Sequence, residues 1–214
     1  MAGTNNQSIK ELVYEGILND IIQGVYPANS ILNERTLVEK YGGSKTSVRE
    51  ALVQLCSEGI LKNIPRYGYQ LPVITPSELN AIIEYRILLE TGALKKTMKI
   101  ITQEQIDKLN SHAKHAGALA QKHDITAHWS TNMEFHLMLC ECCSNQFIYK
   151  ALNDSLKFCS RGANQYFNRS WETGNPTDAN GHVKIVDAIR HHDEKLAEEL
   201  LIKDIECLWE HILG

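Results

Sequence analysis

Apolar residues recur along most of this chain at helical intervals. From Ser8 to Gln23, Ile9, Leu12, Val13, Ile17 and Ile21 form one stripe, which predicts a helix that Gly24 stops. After the turn Val25-Tyr26-Pro27-Ala28 comes a short helix over Glu34–Tyr41 with Asn33 as its cap, then Gly42-Gly43, then a third helix capped by Ser44. In that helix Val48, Ala51, Leu52 and Leu55 fall at i, i+3, i+4 and i+7 and face inward, leaving Lys45, Thr46 and Arg49 on the opposite, N-terminal surface. Gly59 ends it, and Ile60–Ile64 and Tyr69–Val73 read as strands around Pro65-Arg66-Tyr67-Gly68, a hairpin with glycine where positive φ is cheap. Two helices joined by a glycine turn, then a two-stranded wing, make a winged helix-turn-helix.

Thr75-Pro76 breaks the chain, and beyond Ser77 the spacing is helical: Leu79–Thr97, a capping box at Thr102 and Gln105, then Asp124–Cys143, Phe147–Phe167, Asp178–His191 and Asp193–Leu213. Asn168–Thr177, with Gly174 and Pro176, reads as a loop. The expected fold is therefore mainly α: a winged helix-turn-helix over residues 1–74 and an all-α bundle over 75–214.

Composition agrees with this division. With 214 residues, 43% hydrophobic and 22% charged, the chain suits one large or two small domains at roughly 100–200 residues each, which excludes disorder and fibres. No apolar run approaches the ~20 residues of a bilayer span, and Met1–Lys10 lacks the pattern of a signal, so no membrane partner is expected. Six cysteines without framework spacing read as reduced thiols of a cytoplasmic protein. The net charge of −4 is uneven: residues 1–75 carry seven basic and seven acidic side chains, so the acidic excess lies in the remainder. A neutral domain still binds nucleic acid when its basic residues share a face.

The short basic surface of the third helix has the form of a recognition helix, which places its first turn in the major groove with its positive N-terminus near phosphate. A solvated helix end is the plainer alternative. The tip Arg66-Tyr67-Gly68 offers a cation and a close backbone approach, suited to phosphate or the minor groove. Ile22-Gln-Gly-Val-Tyr-Pro, Leu32-Asn-Glu-Arg-Thr-Leu-Val-Glu-Lys-Tyr, Ser44-Lys-Thr-Ser-Val-Arg-Glu-Ala-Leu, Glu58-Gly59-Ile-Leu and Arg66-Tyr-Gly together resemble the GntR family of bacterial transcription regulators. By position, the resemblance implies phosphate and base contacts from Arg35, Lys45, Thr46 and Arg49, a cap at Ser44, and a wing-tip contact at Gly68; Ser47, Arg66 and Tyr67 complete the DNA-binding set. Ala28 and Gly43 stand where the family usually has Gly and Val, and Lys45 where it usually has Arg. Lysine lacks arginine's two-point fork on guanine, which puts the operator sequence, not DNA binding, in question.

In the second domain, polar residues sit on stripes that should be apolar. Asp204 shares the expected inner face of the last helix with Leu196, Leu200 and Leu208; His182 precedes Ile185, Val186 and Ile189; Asn132 and His136 lie one turn apart. Burying such groups without partners costs several kcal/mol, about 1–3 for each, so something must compensate them. Asn132-Met-Glu-Phe-His136, His182 and a position 22 residues on are similar to the FCD ligand-binding domain of the FadR subfamily. In its metal-binding members these positions read Asp, His, His, His and hold a divalent cation to which a small carboxylate effector binds. Here they read Asn132, His136, His182 and Asp204, a set suited to Zn, Mn, Ni or Fe(II), with no organic cofactor implied. The alternative is a metal-free pocket in which the four hydrogen-bond one another.

Arg86 lies on the stripe of Leu79, Ile82, Ile83, Ala93 and Leu94 with Glu90 one turn later. It either bridges Glu90 or presents its guanidinium to an effector carboxylate. The arginine preceding a glutamate resembles the FCD pattern, which makes Arg86 the candidate effector-binding residue. Cys140-Glu-Cys142-Cys143 reads as core thiols; His191-His192 and His112-x-x-His115 read as solvated histidines. The expected protein is thus a homodimeric repressor-type regulator, not an enzyme, with double-stranded operator DNA and a small carboxylate as partners. Two alternatives are a metal-free sensor of a bulkier ligand such as an acyl thioester, and a metal-dependent enzyme using His136, His182 and Asp204.

Overall fold

The computed structural model describes residues 8–120, 125–167 and 180–213, and the chain divides into two compact units, one up to Ile74 and one from Thr75. The first contains α1 (Ile9–Ile22), β1 (Ile31–Leu32), α2 (Glu34–Tyr41), α3 (Lys45–Ser57), β2 (Lys62–Ile64) and β3 (Gly68–Gln70). The second contains α4 (Pro76–Ile100), α5 (Gln103–Ala120), α6 (Ile125–Glu141), α7 (Gln146–Phe167), α8 (Gly181–Arg190) and α9 (Glu194–Leu213).

Local chemistry starts and stops these helices. Ser8 with Glu11 and Ser44 with Ser47 form capping boxes, Asn33 accepts from the Arg35 amide, and Gly24 and Gly59 take left-handed φ values of 72° and 71° just past α1 and α3. Val13, Ile17 and Ile21 of α1 pack with Leu37 of α2 and with Val48, Ala51, Leu52 and Leu55 of α3, all sealed from solvent. A polar clasp joins α1 to α2: Asp20 accepts from Lys40 Nζ at 2.6 Å and from the Tyr41 hydroxyl at 2.5 Å, with Tyr26 2.9 Å from Tyr41.

The wing differs from the two-stranded expectation. β1 pairs antiparallel with β3, setting Leu32 opposite Tyr69, and gives a three-stranded sheet in the order β1-β3-β2. Two residues are too short a strand to leave a period in the sequence, and β2 and β3 are each shorter than the alternation suggested. Left-handed φ also falls on Arg66 (71°) as well as on Gly68 (127°). At Gly68 a side chain would have no room, because a Cβ there would come within 2.6 Å of the Leu32 carbonyl oxygen. This glycine therefore lets β3 lie against β1.

In the second unit α4 packs against α6, α7 and α9, while α8 lies between α5 and α9. Leu94, Leu109, Phe135, Ile185, Val186, Ile189, Ala197, Leu201 and Ile205 form its principal core, and Cys140, Cys143, Leu152 and Leu156 a second one. The inner stripe of α9 is Ala197, Leu201 and Ile205, with Leu200 partly buried; Leu196, placed inside by the leucine spacing, is 44% exposed. That spacing was one residue out because Ala197 and Ile205 share the periodicity with the leucines. Asp204 remains half-buried beside the corrected stripe. The side chain of Leu208, the loop Asn168–Thr177 and the expected helix starts at Asp124 and Asp178 lie outside the described residues. Among those residues, no helix is long and apolar enough to cross a membrane.

Candidate functional site

Two sites emerge, one in each unit. In the first, the inward stripe of α3 turns Lys45, Thr46 and Arg49 outward, where Lys45, Thr46, Arg49, Val53, Gln54 and Lys10 of α1 line an open depression of about 660 Å³. Lys10 and Gln54 are additions that the sequence reading missed: Lys10 reaches this face from another helix, and Gln54 lies on α3 beyond the motif at its start. Ser44 and Ser47 are engaged by each other: each side-chain oxygen accepts the other's backbone N–H, and Ser47 also donates to the Ser44 carbonyl. They shape the helix start and leave the positive end of α3 toward its basic residues.

Arg49 is held. Its Nε and Nη2 donate to the two oxygens of Glu34 on α2, at 2.9 and 3.0 Å, and the Tyr69 hydroxyl of β3 donates to the same carboxylate at 3.3 Å. The Arg49 fork keeps the Glu34 carboxyl below its ordinary range. Arg35 points outward, 84% exposed at its side chain, with Glu39 one turn on at 3.2 Å. Arg66 and Tyr67 are exposed at the wing, and Tyr67, at 74%, is the more prominent.

The second site is a chain of buried charges. Arg86 of α4 donates from Nε to Glu90 at 2.9 Å; the other Glu90 oxygen meets His136 Nδ1 at 2.6 Å. His136 Nε2 lies 3.1 Å from Asp204 Oδ2, and His182 Nε2 lies 3.4 Å from the same oxygen. Arg86, Glu90 and His136 are sealed from solvent. Burial disfavours a charged ring at His136, yet the Glu90 carboxylate and Asp204 outweigh it and push the imidazole up to about 9. For Asp204, burial acts upward, but His182 and His136 hold the carboxyl far below its ordinary range.

Orientation of the rings comes from packing. His182 stacks on Phe135 with centroids 3.9 Å apart and planes 11° from parallel, while His136 and His182 stand nearly perpendicular at 5.5 Å. His112 joins the same group through a 6.5 Å stack with Phe135 and a 3.2 Å contact to Glu134. It is therefore half-buried rather than solvated, since α5 turns that edge toward α6; His115, His191 and His192 are exposed as expected.

The ligating atoms of His136, His182 and Asp204 lie within 4.8 Å of one another. Both Nε2 atoms are buried and lack an aligned hydrogen bond among the described residues, although each is close to Asp204. Two imidazole nitrogens and a carboxylate so arranged fit a divalent transition metal. Asn132 is one turn before His136 on α6 and half-buried; among the described residues no hydrogen bond joins it to the three. The bland expectation for Arg86, a bridge to Glu90, is what the geometry contains, although its Nη2 has no hydrogen bond among the described residues. The partner of His136 was invisible in the sequence, because Glu90 lies 46 residues away and nothing but the fold brings them together. Cys140, Cys142 and Cys143 are free and buried, and burial raises Cys140 to about 12 and Cys142 to about 11, as core thiols require.

Residues 9–70 match the family of bacterial regulatory proteins, gntR family, and residues 81–206 match the FCD domain family. The HTH-type transcriptional regulator YdhC of Bacillus subtilis is 22% identical over 203 residues, covering 93% of this chain and 88% of that protein. The gluconate operon transcriptional repressor of the same species is 31% identical over 90 residues, 42% of this chain and 37% of its own length. Among solved structures, McbR/YncC of E. coli superposes with a TM-score of 0.80 at 19% identity, covering 96% of this chain and 99% of its own. A transcriptional regulator GntR from Rhodococcus sp. RHA1 gives 0.78 at 18% identity over 97% and 99% of the two chains.

Proposed function

Because this chain belongs to the GntR family of bacterial regulatory proteins and carries an FCD domain, we propose that it is a cytoplasmic, homodimeric repressor whose operator affinity is set by a small carboxylate bound with a divalent cation. DNA binding by the winged helix and effector binding by the FCD domain are what the family does; the metal, the carboxylate and the dimer are the proposal. Residues 1–74 take the DNA-reading role and 75–214 the sensing role.

One observation carries it: two buried imidazole nitrogens that face one carboxylate and lack an aligned hydrogen bond among the described residues. His136 and His182 would hold the cation through Nε2, Asp204 through a carboxylate oxygen and Asn132 through its amide oxygen. When bound, the cation supplies positive charge and open coordination positions for an effector carboxylate. Glu90 keeps His136 turned with Nδ1 away from the cluster, and Arg86 neutralises Glu90 while its Nη2 is left for an effector oxygen.

On DNA, Lys45, Thr46 and Arg49 would face base edges and phosphate, with Arg35, Arg66, Tyr67 and Gly68 against the backbone. One α3 reads too few base pairs to select an operator, so two copies on a palindrome are needed. Tyr85 and Leu88, exposed on one side of α4, support such pairing. A second reading, a metal-free sensor, draws on the Arg86–Glu90–His136–Asp204 chain, which already satisfies most of its own charge.

Native mass spectrometry of protein purified without chelator separates the two. A dimer with one metal per chain, whose operator affinity at fixed salt responds to small organic acids only while loaded, is the expected result. A metal-free dimer with the same response after chelation would overturn the metal-dependent reading.

A further inference from the structure

The carboxylate of Glu34 is out of place on a DNA-reading surface, where an acidic group opposes phosphate. It stands at the first position of α2, 25% exposed at its side chain, and takes two hydrogen bonds from Arg49 of α3 and one from Tyr69 of β3. Three elements of the winged helix thus meet on one group. Exposed ion pairs contribute only about 0–1 kcal/mol as a rule, but a two-point arginine fork with a third donor behind it is the geometry that holds a side chain still.

The consequence for Arg49 is specific. Nε and one N–H of Nη2 are turned back to Glu34, so the two N–H groups of Nη1 and the second of Nη2 remain for a ligand, on a side chain that is 65% exposed. The pair is also electrically neutral, so Arg49 adds little to the sequence-independent attraction of phosphate. What it retains is direction. We infer that Glu34 is a specificity-determining positioning residue: it fixes the Arg49 guanidinium for one base-edge contact and cancels the charge that Arg49 would otherwise offer to any DNA. The inference rests on the reading that α3 enters the groove, and it adds to that reading a residue whose own charge disfavours binding. The rival is that Arg49 leaves Glu34 for phosphate whenever DNA arrives.

The test uses the full chain and two duplexes: one selected by the wild-type protein from a randomised pool, and a scrambled version of it. Binding of wild type, Glu34→Gln, Arg49→Ala and the double variant is followed by fluorescence anisotropy across a range of salt, with thermal unfolding to check that each is folded. Glu34→Gln should bind the scrambled duplex several-fold more tightly, with a salt slope steeper by about one. Its preference for the selected duplex should fall about tenfold, the worth of one good two-point base contact. Both changes should vanish in the Arg49→Ala background. Arg49→Lys, which keeps the charge and loses the fork, should lose preference in the same way. An unchanged preference and slope in Glu34→Gln would overturn the inference, as would equal changes with and without Arg49. A wild-type protein that selects no duplex would instead overturn the DNA-reading premise, and the inference with it.

Discussion

His136 and Glu90, 46 positions apart, are joined by a 2.6 Å hydrogen bond in which neither side chain sees solvent. Arg86 sits on the other carboxylate oxygen, so Glu90 joins two basic side chains in the interior. Glu90→Ala would leave the Arg86 guanidinium buried without its carboxylate and His136 with Asp204 as its remaining acidic neighbour. It should cost about 3–5 kcal/mol in urea denaturation, and Glu90→Gln, which keeps volume and part of the hydrogen bonding, should cost less.

Removal of metal should be visible in stability. At a free-ion concentration about 100 times Kd, a bound cation adds about 2.7 kcal/mol, so chelation should lower the unfolding midpoint by that equivalent. His182→Ala should reduce metal affinity at least about tenfold while circular dichroism remains helical. Full metal retention by that variant would locate the ion elsewhere.

The Lys45 side chain makes no hydrogen bond or ion pair among the described residues, unlike that of Arg49. Its charge is left for DNA, and the part of it that meets phosphate serves every sequence. Lys45→Ala is expected to lower affinity for both selected and scrambled duplexes and to reduce the salt slope by about one.

The clasp between α1 and α2 sets an acid limit. Burial acts to raise Asp20, but hydrogen bonds from Lys40 and Tyr41 hold it below its ordinary value in the folded protein. A depressed carboxyl stabilises fully above its unfolded value, and that contribution is lost as pH falls through the folded one. Wild type should therefore exceed Asp20→Asn by about 1–2 kcal/mol at pH 6, with the difference shrinking toward pH 3 in denaturation curves.

Gly68→Ala meets both a left-handed φ of 127° and the Leu32 carbonyl at 2.6 Å. A loss of about 1–3 kcal/mol is expected, read as a lower midpoint in thermal unfolding.

Helices were legible in the sequence because their signals are local: Ser8, Asn33 and Ser44 cap within three residues, and Val48, Ala51, Leu52 and Leu55 need only the helical repeat. The strand at Ile31–Leu32 was not, since its existence depends on β3 nearly forty residues later. The same distinction runs through the sites. Lys45, Thr46 and Arg49, or Asn132 and His136, reveal themselves by spacing on one helix. Glu34 beside Arg49, Glu90 beside His136 and Phe135 under His182 are meetings of different helices, and no spacing within one element reports them. Leu196 shows the opposite error, an apolar residue assigned inward by a leucine count that Ala197 and Ile205 overrule.

The arrangement on α3 also bears on how such a protein is retargeted. The side chains of Thr46 and Lys45 have no hydrogen bond or ion pair among the described residues, whereas Arg49 is bound to a second helix and, through it, to the wing. The surface thus divides into two exchangeable letters and one that is spliced into its frame. A library that varies positions 45 and 46 alone can be screened for new operators in a reader whose geometry stays constant. One that varies position 49 must vary position 34 with it, or each change of alphabet will also be a change of scaffold.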